Sequence, residues 1–170
     1  MIQIRSSVFE TNSSSSHSIS ILKEDRVLTA DEIKSEFYCH NNRIHLWNIN
    51  FGREFDLLTS FRDKLEYVIA SYGDQDDIVD RMTALLQDLV PEYKKDNVRL
   101  KVDKDDYYGY GSIDHQSTGV LSNFLIKHNL SIKDFLTHTR YVVWIDGDEY
   151  NIKDKFFDSN IIKKDSFEEV

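Results

Sequence analysis

Two adjacent stretches of this chain carry apolar residues at helical spacing. Leu57, Leu58, Phe61, Leu65, Val68, Ile69 and Tyr72 mark one stripe, and Ile78, Val79, Met82, Leu85, Leu86 and Leu89 mark a second after a break at Gly73. Stripes of this kind are the faces that helices lay against a core. Elsewhere the period falls to two. Val98, Leu100 and Val102 alternate with Arg99, Lys101 and Asp103, the pattern of a half-exposed strand. Arg43 to Phe51 reads as a further strand, with His45, Trp47, Ile49 and Phe51 on one face and Ile44 and Leu46 on the other. Tyr141 to Ile145 is an apolar run closed by Asp146-Gly147, a buried strand entering a turn. Met1 to Ile4 and Ile19 to Leu22 read as short strands flanking a polar loop that ends at His17. Shorter helices are expected from Asp31 to Tyr38 behind a Thr29 cap, from Val120 to Asn129 behind Ser117 or Thr118, and onward from Ser131. Strands and helices are mixed without strict alternation. The expected fold is therefore α+β: a single compact domain over residues 1–154, with a mixed or antiparallel sheet packed by amphipathic helices, and a charged, fraying tail over 155–170.

Composition narrows the function classes. Of 170 residues 40% are apolar and 12% aromatic, which is enough for a core and rules out wholesale disorder. No apolar run approaches the roughly 20 residues that cross a bilayer, and the first residues lack the basic-then-apolar pattern of a secretory leader. A single cysteine excludes a disulfide framework and fits a reducing compartment, so a cytoplasmic protein is expected. The net charge of −9 argues against broad binding along phosphate backbones or anionic membranes and favours a basic protein surface as partner.

Four features carry candidate chemistry. The first is Phe9-Glu10-Thr11-Asn12-Ser13-Ser14-Ser15-Ser16-His17-Ser18, in which hydroxyls and backbone N–H groups can surround an anion beside an imidazole. The plain alternative is a serine-rich turn bonding its own backbone. A second is Gly109 to Ser117, where two glycines precede Asp114, His115 and Gln116 at a helix start. There, capping with an exposed histidine is the plain alternative. Third, Cys39-His40 followed by His45 resembles half of a zinc site, although no paired ligand spacing completes it. The fourth is charge. Asp74, Asp76, Asp77 and Asp80 form one acidic cluster around the start of the second helix, Asp103, Asp105 and Asp106 another, and Asp146, Asp148 and Glu149 a third. Solvated surface is the ordinary meaning of such runs, and imitation of a phosphate track is the sharper one.

Phe9 to Ser18, Phe51 to Phe55, Lys64 to Tyr67, Gly111 to Ser117 and Gly147 to Glu149 together resemble, in this order, a family of uncharacterised proteins from Gram-positive bacteria and their phages. That family typically opens with Phe-Glu-Thr-Asn-Ser-Ser-Ser followed by His. The resemblance runs from about Ile4 to Tyr150 and implies a phage or mobile-element origin, without implying an activity. It also implies that its dispersed polar motifs meet, so Asn12, Ser14, His17, Asp114, His115 and Gln116 are the candidate ligand-binding set.

The leading expectation is an accessory protein that evades host defence by binding a protein: an acidic inhibitor of a host nucleic-acid enzyme such as a CRISPR nuclease, whose channel is strongly basic. Asp74, Asp76, Asp77, Asp103, Asp105 and Asp106 are its expected partner-binding residues. The alternative is an enzyme or binding protein with a composite Ser/His/Asp site. In it His17 and His115, with Cys39 as a further candidate ligand, hold a zinc ion, or one imidazole serves as general base oriented by Asp114. No Gly-x-Ser-x-Gly elbow presents a serine nucleophile, so the catalytic residues remain unassigned.

Overall fold

The structure, a computed structural model of the chain, describes residues 16–47, 49–51, 56–104, 109–113, 117–146 and 167–168. It is an α+β fold. Its largest sheet is antiparallel, in the order β5 (Asp56–Leu58), β8 (Tyr141–Asp146), β1 (Ser16–Leu22) and β9 (Phe167–Glu168). The β1–β8 register runs from Ser16 opposite Asp146 to Ile21 opposite Tyr141. A second sheet places β3 (Arg43–Leu46) between antiparallel β2 (Cys39–His40) and parallel β6 (Arg99–Val102). The third is a parallel pair, β4 (Asn50–Phe51) with β7 (Ser112–Ile113). Helices α1 (Ala30–Ser35), α2 (Phe61–Ser71), α3 (Ile78–Leu89), α4 (Pro91–Lys95), α5 (Val120–His128) and α6 (Ile132–Thr137) fill the space between them. Among the described residues no helix is long and apolar enough to cross a membrane.

Helix α2 is the centre of the core. Phe61, Leu65, Tyr67, Val68 and Ile69 have no exposed surface, and Ala70 is buried beside them. Residues 67–70 are consecutive, so buried side chains point in most directions around the helix axis, and water reaches the edge formed by the half-buried Arg62, Asp63 and Glu66. Local chemistry starts α2 cleanly: Ser60 Oγ accepts from the Asp63 N–H at 3.0 Å, and the Glu36 carboxylate accepts from the N–H groups of Phe61 (3.3 Å) and Arg62 (2.6 Å). Those are the orphan donors of a helix N-terminus, and a carboxylate there also suits the helix dipole. The cost of full burial falls on Lys64. Its Nζ donates to the carbonyl oxygens of Phe135 (3.0 Å) and His138 (2.9 Å) at the end of α6. Burial pulls its pKa from 10.5 down to about 8, against the opposing pull of the Glu36 and Asp25 charges.

The structure corrects the sequence reading at several elements. The expected strand from Arg43 to Phe51 is two strands in two different sheets, because the alternation slips after Leu46. Ile44 and Leu46 are buried, Trp47 is exposed, and Ile49 and Phe51 are buried again. Leu57 and Leu58 belong to β5, not to the helix that their spacing suggested, since Ser60 caps α2 after them. Thr29 caps α1 as expected, in a box with Glu32, but the helix stops at Ser35. Ser131 caps α6 in the same way with Asp134. Neither Ser117 nor Thr118 caps α5, whose N-cap is Gly119 at φ 90°. His17 and Ser16 belong to β1 and not to a loop. Phe167 and Glu168, in the stretch expected to fray, pair with Leu22 and Ile21. The remainder of 155–170 and the expected strand at Met1 to Ile4 lie outside the described residues.

Lys64 makes the stability depend on pH in a defined sense. Its folded pKa of about 8 lies below the ordinary 10.5, so between these values the unfolded chain holds a proton that the folded chain has released. Stability therefore rises with pH across that window, by about 3 kcal/mol at most. Two carbonyl acceptors match the two N–H groups of the neutral amine, so deprotonation leaves both bonds in place. Urea unfolding at pH 8 and pH 10.5 should show this gain in the native chain and not in Lys64→Met. Parallel behaviour of the two proteins would mean that the ammonium is not desolvated.

Candidate functional site

His17 is the one residue of the expected composite site whose side chain the structure describes. It lies on the inner face of β1, 7% exposed, opposite Ile145 of β8. Its backbone N–H donates to Ser117 Oγ at 3.0 Å, a bond between residues a hundred positions apart. Its Nδ1 sits 3.3 Å from the Tyr67 hydroxyl. Tyr67 in turn packs edge-on against Phe51, with ring centroids 5.4 Å apart. Burial pushes the Tyr67 phenol far above its usual range, so it stays protonated. It donates to Nδ1 in the tautomer that carries its proton on Nε2. Residues from four of the motifs thus form a chain of contacts, Ser117 on the His17 backbone, Tyr67 on its imidazole and Phe51 on the Tyr67 ring, and Ser16 pairs with Asp146 next to the fifth.

The remaining candidates divide by place. Asn12, Ser14, Asp114, His115 and Gln116 lie outside the described residues, so the expected approach of His17 to His115 does too. Cys39 is exposed on β2, in a different sheet from His17. His40 stacks on Tyr38, and His45 on Trp47. Among the described residues no three histidine, cysteine or carboxylate side chains are grouped to hold a metal ion.

Two of the acidic clusters join. Asp105 and Asp106 are outside the described residues, but Lys104 Nζ reaches Asp76 Oδ1 at 2.5 Å, and its hydrogen bond and charge lower the Asp76 pKa. Tyr110 N–H donates to the Gly73 carbonyl at 3.3 Å. Gly109, at φ 65°, approaches that same carbonyl so closely that a Cβ would collide with it. The segment after Asp103 is thereby drawn onto the turn before Asp74. Asp74, Asp77 and Asp103 are exposed along the resulting ridge.

A second surface has the opposite character. The buried face of the three-stranded sheet carries Ile44, Leu46 and Leu100. Its outward face carries Arg43 opposite His40, Arg99 level with Arg43, and Lys101 level with His45. Tyr38 and Trp47 flank it, 81% and 61% exposed. Tyr38 and His40 lie nearly parallel, with centroids 6.4 Å apart, and His45 and Trp47 stack at 5.2 Å. Among the described residues no carboxylate pairs with Arg43, Arg99 or Lys101. Two cavities open beside Trp47. One, of about 550 Å³, is bounded by Tyr38, His40, Arg43, His45 and Arg62. The other, of about 560 Å³, lies toward Asn50, Asp103 and the segment from Gly109 to Ser112. The sequence reading missed this face because it placed His45 and Trp47 with Ile49 and Phe51. The available signal was the alternation of Arg43, His45 and Trp47 on one strand with Arg99 and Lys101 on another, but only the β3–β6 register puts these in one plane.

Comparison with protein-family models, with curated proteins and with solved structures finds no match.

The His17–Tyr67 contact predicts a graded response. Tyr67→Phe keeps the ring against Phe51 and removes only the hydroxyl, costing about 1 kcal/mol of stability. Tyr67→Ala also leaves a cavity in the core and costs about 3–5 kcal/mol. Denaturant titration of both variants measures this, and equal losses would mean that the hydroxyl, not the ring, carries the contact.

Proposed function

We propose that this protein is a non-catalytic binding protein and that its β2–β3–β6 face takes a short segment of single-stranded nucleic acid. One observation carries the reading: two stacked pairs at the surface, exposed Tyr38 with His40 and half-buried His45 with exposed Trp47, share a face with three cations that no described carboxylate neutralises. Exposed aromatic rings on a sheet are platforms for unstacked bases, each stack being worth about 1–3 kcal/mol. Arg43, Arg99 and Lys101 then meet the phosphates between those bases. A duplex hides its base faces, so the rings select single strands. An acidic peptide would use the cations and leave the rings idle. The face is also small. Three cations against a chain charge of −9 support a short local contact and not broad tracking of a phosphate backbone.

Fluorescence anisotropy of a labelled uridine pentamer tests this. Trp47→Ala should weaken binding about tenfold, the loss of one stack. Arg43→Glu should weaken it further and flatten a salt dependence whose logarithmic slope for three phosphate contacts is about −2. A pentamer that fails to bind, or binds Trp47→Ala equally well, would refute the reading.

The acidic ridge supports a second reading, the accessory-protein role expected above. Lys104 ties the two clusters into one surface, and ordered carboxylates of this kind speed encounter with a basic protein groove such as a host nuclease channel. Asp74→Lys combined with Asp77→Lys should then slow association with a basic nuclease more than it speeds dissociation. Folding should change by less than about 0.5 kcal/mol at Asp74, which is exposed, and by up to about 1 kcal/mol at Asp77, which starts α3 and pairs with Arg81 at 3.9 Å. Stopped-flow association at low and physiological salt measures it. Rates that ignore both salt and charge reversal would remove this reading.

A further inference from the structure

We infer that the cavity on the far side of Trp47, between Asn50, Asp103 and the Gly109–Ser112 segment, is a guanine subsite. This deepens the preceding reading and rests on it, since the base is delivered by the strand lying on the β2–β3–β6 face. Trp47 borders both cavities, so a strand passing over His45 and Trp47 meets the second cavity next. The volume, about 560 Å³, is within the range of sites that enclose small ligands, about 300–1,000 Å³. Trp47 and Tyr110 bring ring surfaces to its wall. Gly109 and Gly111 hold that wall close to the turn at Gly73 and to Ile49, since a Cβ at Gly109 would collide with the Gly73 carbonyl and one at Gly111 would meet the Ile49 carbonyl at 3.0 Å.

Two of the described polar side chains lining the cavity, Asn50 and Asp103, select the base. Ser112 Oγ–H donates to Asn50 Oδ1 at 2.8 Å, which fixes the amide and leaves its NH₂ to donate. Asp103 adds an exposed carboxylate, which only accepts when ionised. A donor beside a two-oxygen acceptor complements guanine, whose pairing edge places the O6 acceptor beside the N1–H and N2–H donors. Uracil offers one N–H between two carbonyls, and those carbonyls repel a carboxylate. Adenine and cytosine each set a ring-nitrogen acceptor beside their amino group, so a carboxylate gains one bond and faces one lone pair. Lys104 does not compete for the base. Its Nζ stays 5.2 Å over the Tyr110 ring and paired with Asp76, so the strand's phosphates fall to Arg43, Arg99 and Lys101.

The test uses the intact chain and uridine pentamers whose central residue is G, A, C or U, read by anisotropy. The G-containing pentamer should bind about tenfold more tightly than all-uridine, the equivalent of about 1.4 kcal/mol. Asp103→Asn should erase that ratio by weakening the G pentamer and tightening the all-uridine one, because it removes the carboxylate that pairs with guanine and repels the uracil carbonyls. Asn50→Ala should reduce the ratio as well. Absence of a G preference, or a preference that survives Asp103→Asn, overturns the subsite while Trp47-dependent binding of all-uridine leaves the strand reading standing. Failure of every pentamer overturns both. GMP alone that binds as tightly as the G pentamer, with the same Asp103 dependence, keeps the subsite and makes the ligand a free nucleotide instead of a strand.

Discussion

The fold is arranged around α2, a helix buried on nearly every side, with one half-buried edge at Arg62, Asp63 and Glu66. On the enclosed sides of α2 each polar group must be satisfied by another element, and the two large ones there reach in different directions. Lys64 bonds the last carbonyls of α6, and the Tyr67 hydroxyl meets His17 on β1. An unpaired buried polar group costs roughly 1–3 kcal/mol, more if charged, so these bonds fix where α6 and β1 sit as firmly as the apolar contacts do. Glu36 does the same at the helix start, joining the end of α1 to the first turn of α2. The same α1 end leads through Tyr38 into β2, so capping of the core helix also sets the edge of the basic face.

Charge is segregated on this molecule, not spread. The chain is strongly acidic overall, yet Arg43, Arg99 and Lys101 share one outward plane, while Asp74, Asp77 and the Asp76–Lys104 pair line a ridge beyond the end of β6. Asp103 lies at the junction, following Lys101 on the same strand edge and bordering the cavity behind Trp47. A net charge describes the long-range field, whereas a ligand within a Debye length of about 8 Å responds to the groups it touches. An acidic protein can therefore hold a small cationic face, and the surrounding negative field limits how much nucleic acid it accepts.

Helix α3 and strand β6 were legible because a single periodic stripe, buried on one side, determines each of them, and β8 because its apolar run Tyr141–Ile145 is buried on both faces. Residues that cap helices were legible for the same local reason: Thr29 and Ser131 each bond a backbone N–H three positions away, which needs no tertiary partner. Ser117 was not, since its hydroxyl accepts from His17 and that partner comes from the other end of the chain. The segment from Arg43 to Phe51 shows the limit most clearly. Its alternation is real, but the slip after Leu46 sends its two halves into different sheets, and nothing within nine residues announces which neighbour each half will find.

By itself, then, the amino-acid sequence determined the α+β class, most of the element inventory, the net charge and the polar motifs, because these depend on neighbours a few positions away. Tertiary structure alone decided that four motifs are linked through His17 and Tyr67, that Lys104 merges two acidic clusters, and that Arg43, His45, Arg99 and Lys101 form one face. Those are consequences of strand register and of a close backbone approach such as Gly109 to Gly73. Register is set by which apolar faces bury together across the whole chain, and that energy belongs to no local stretch of it.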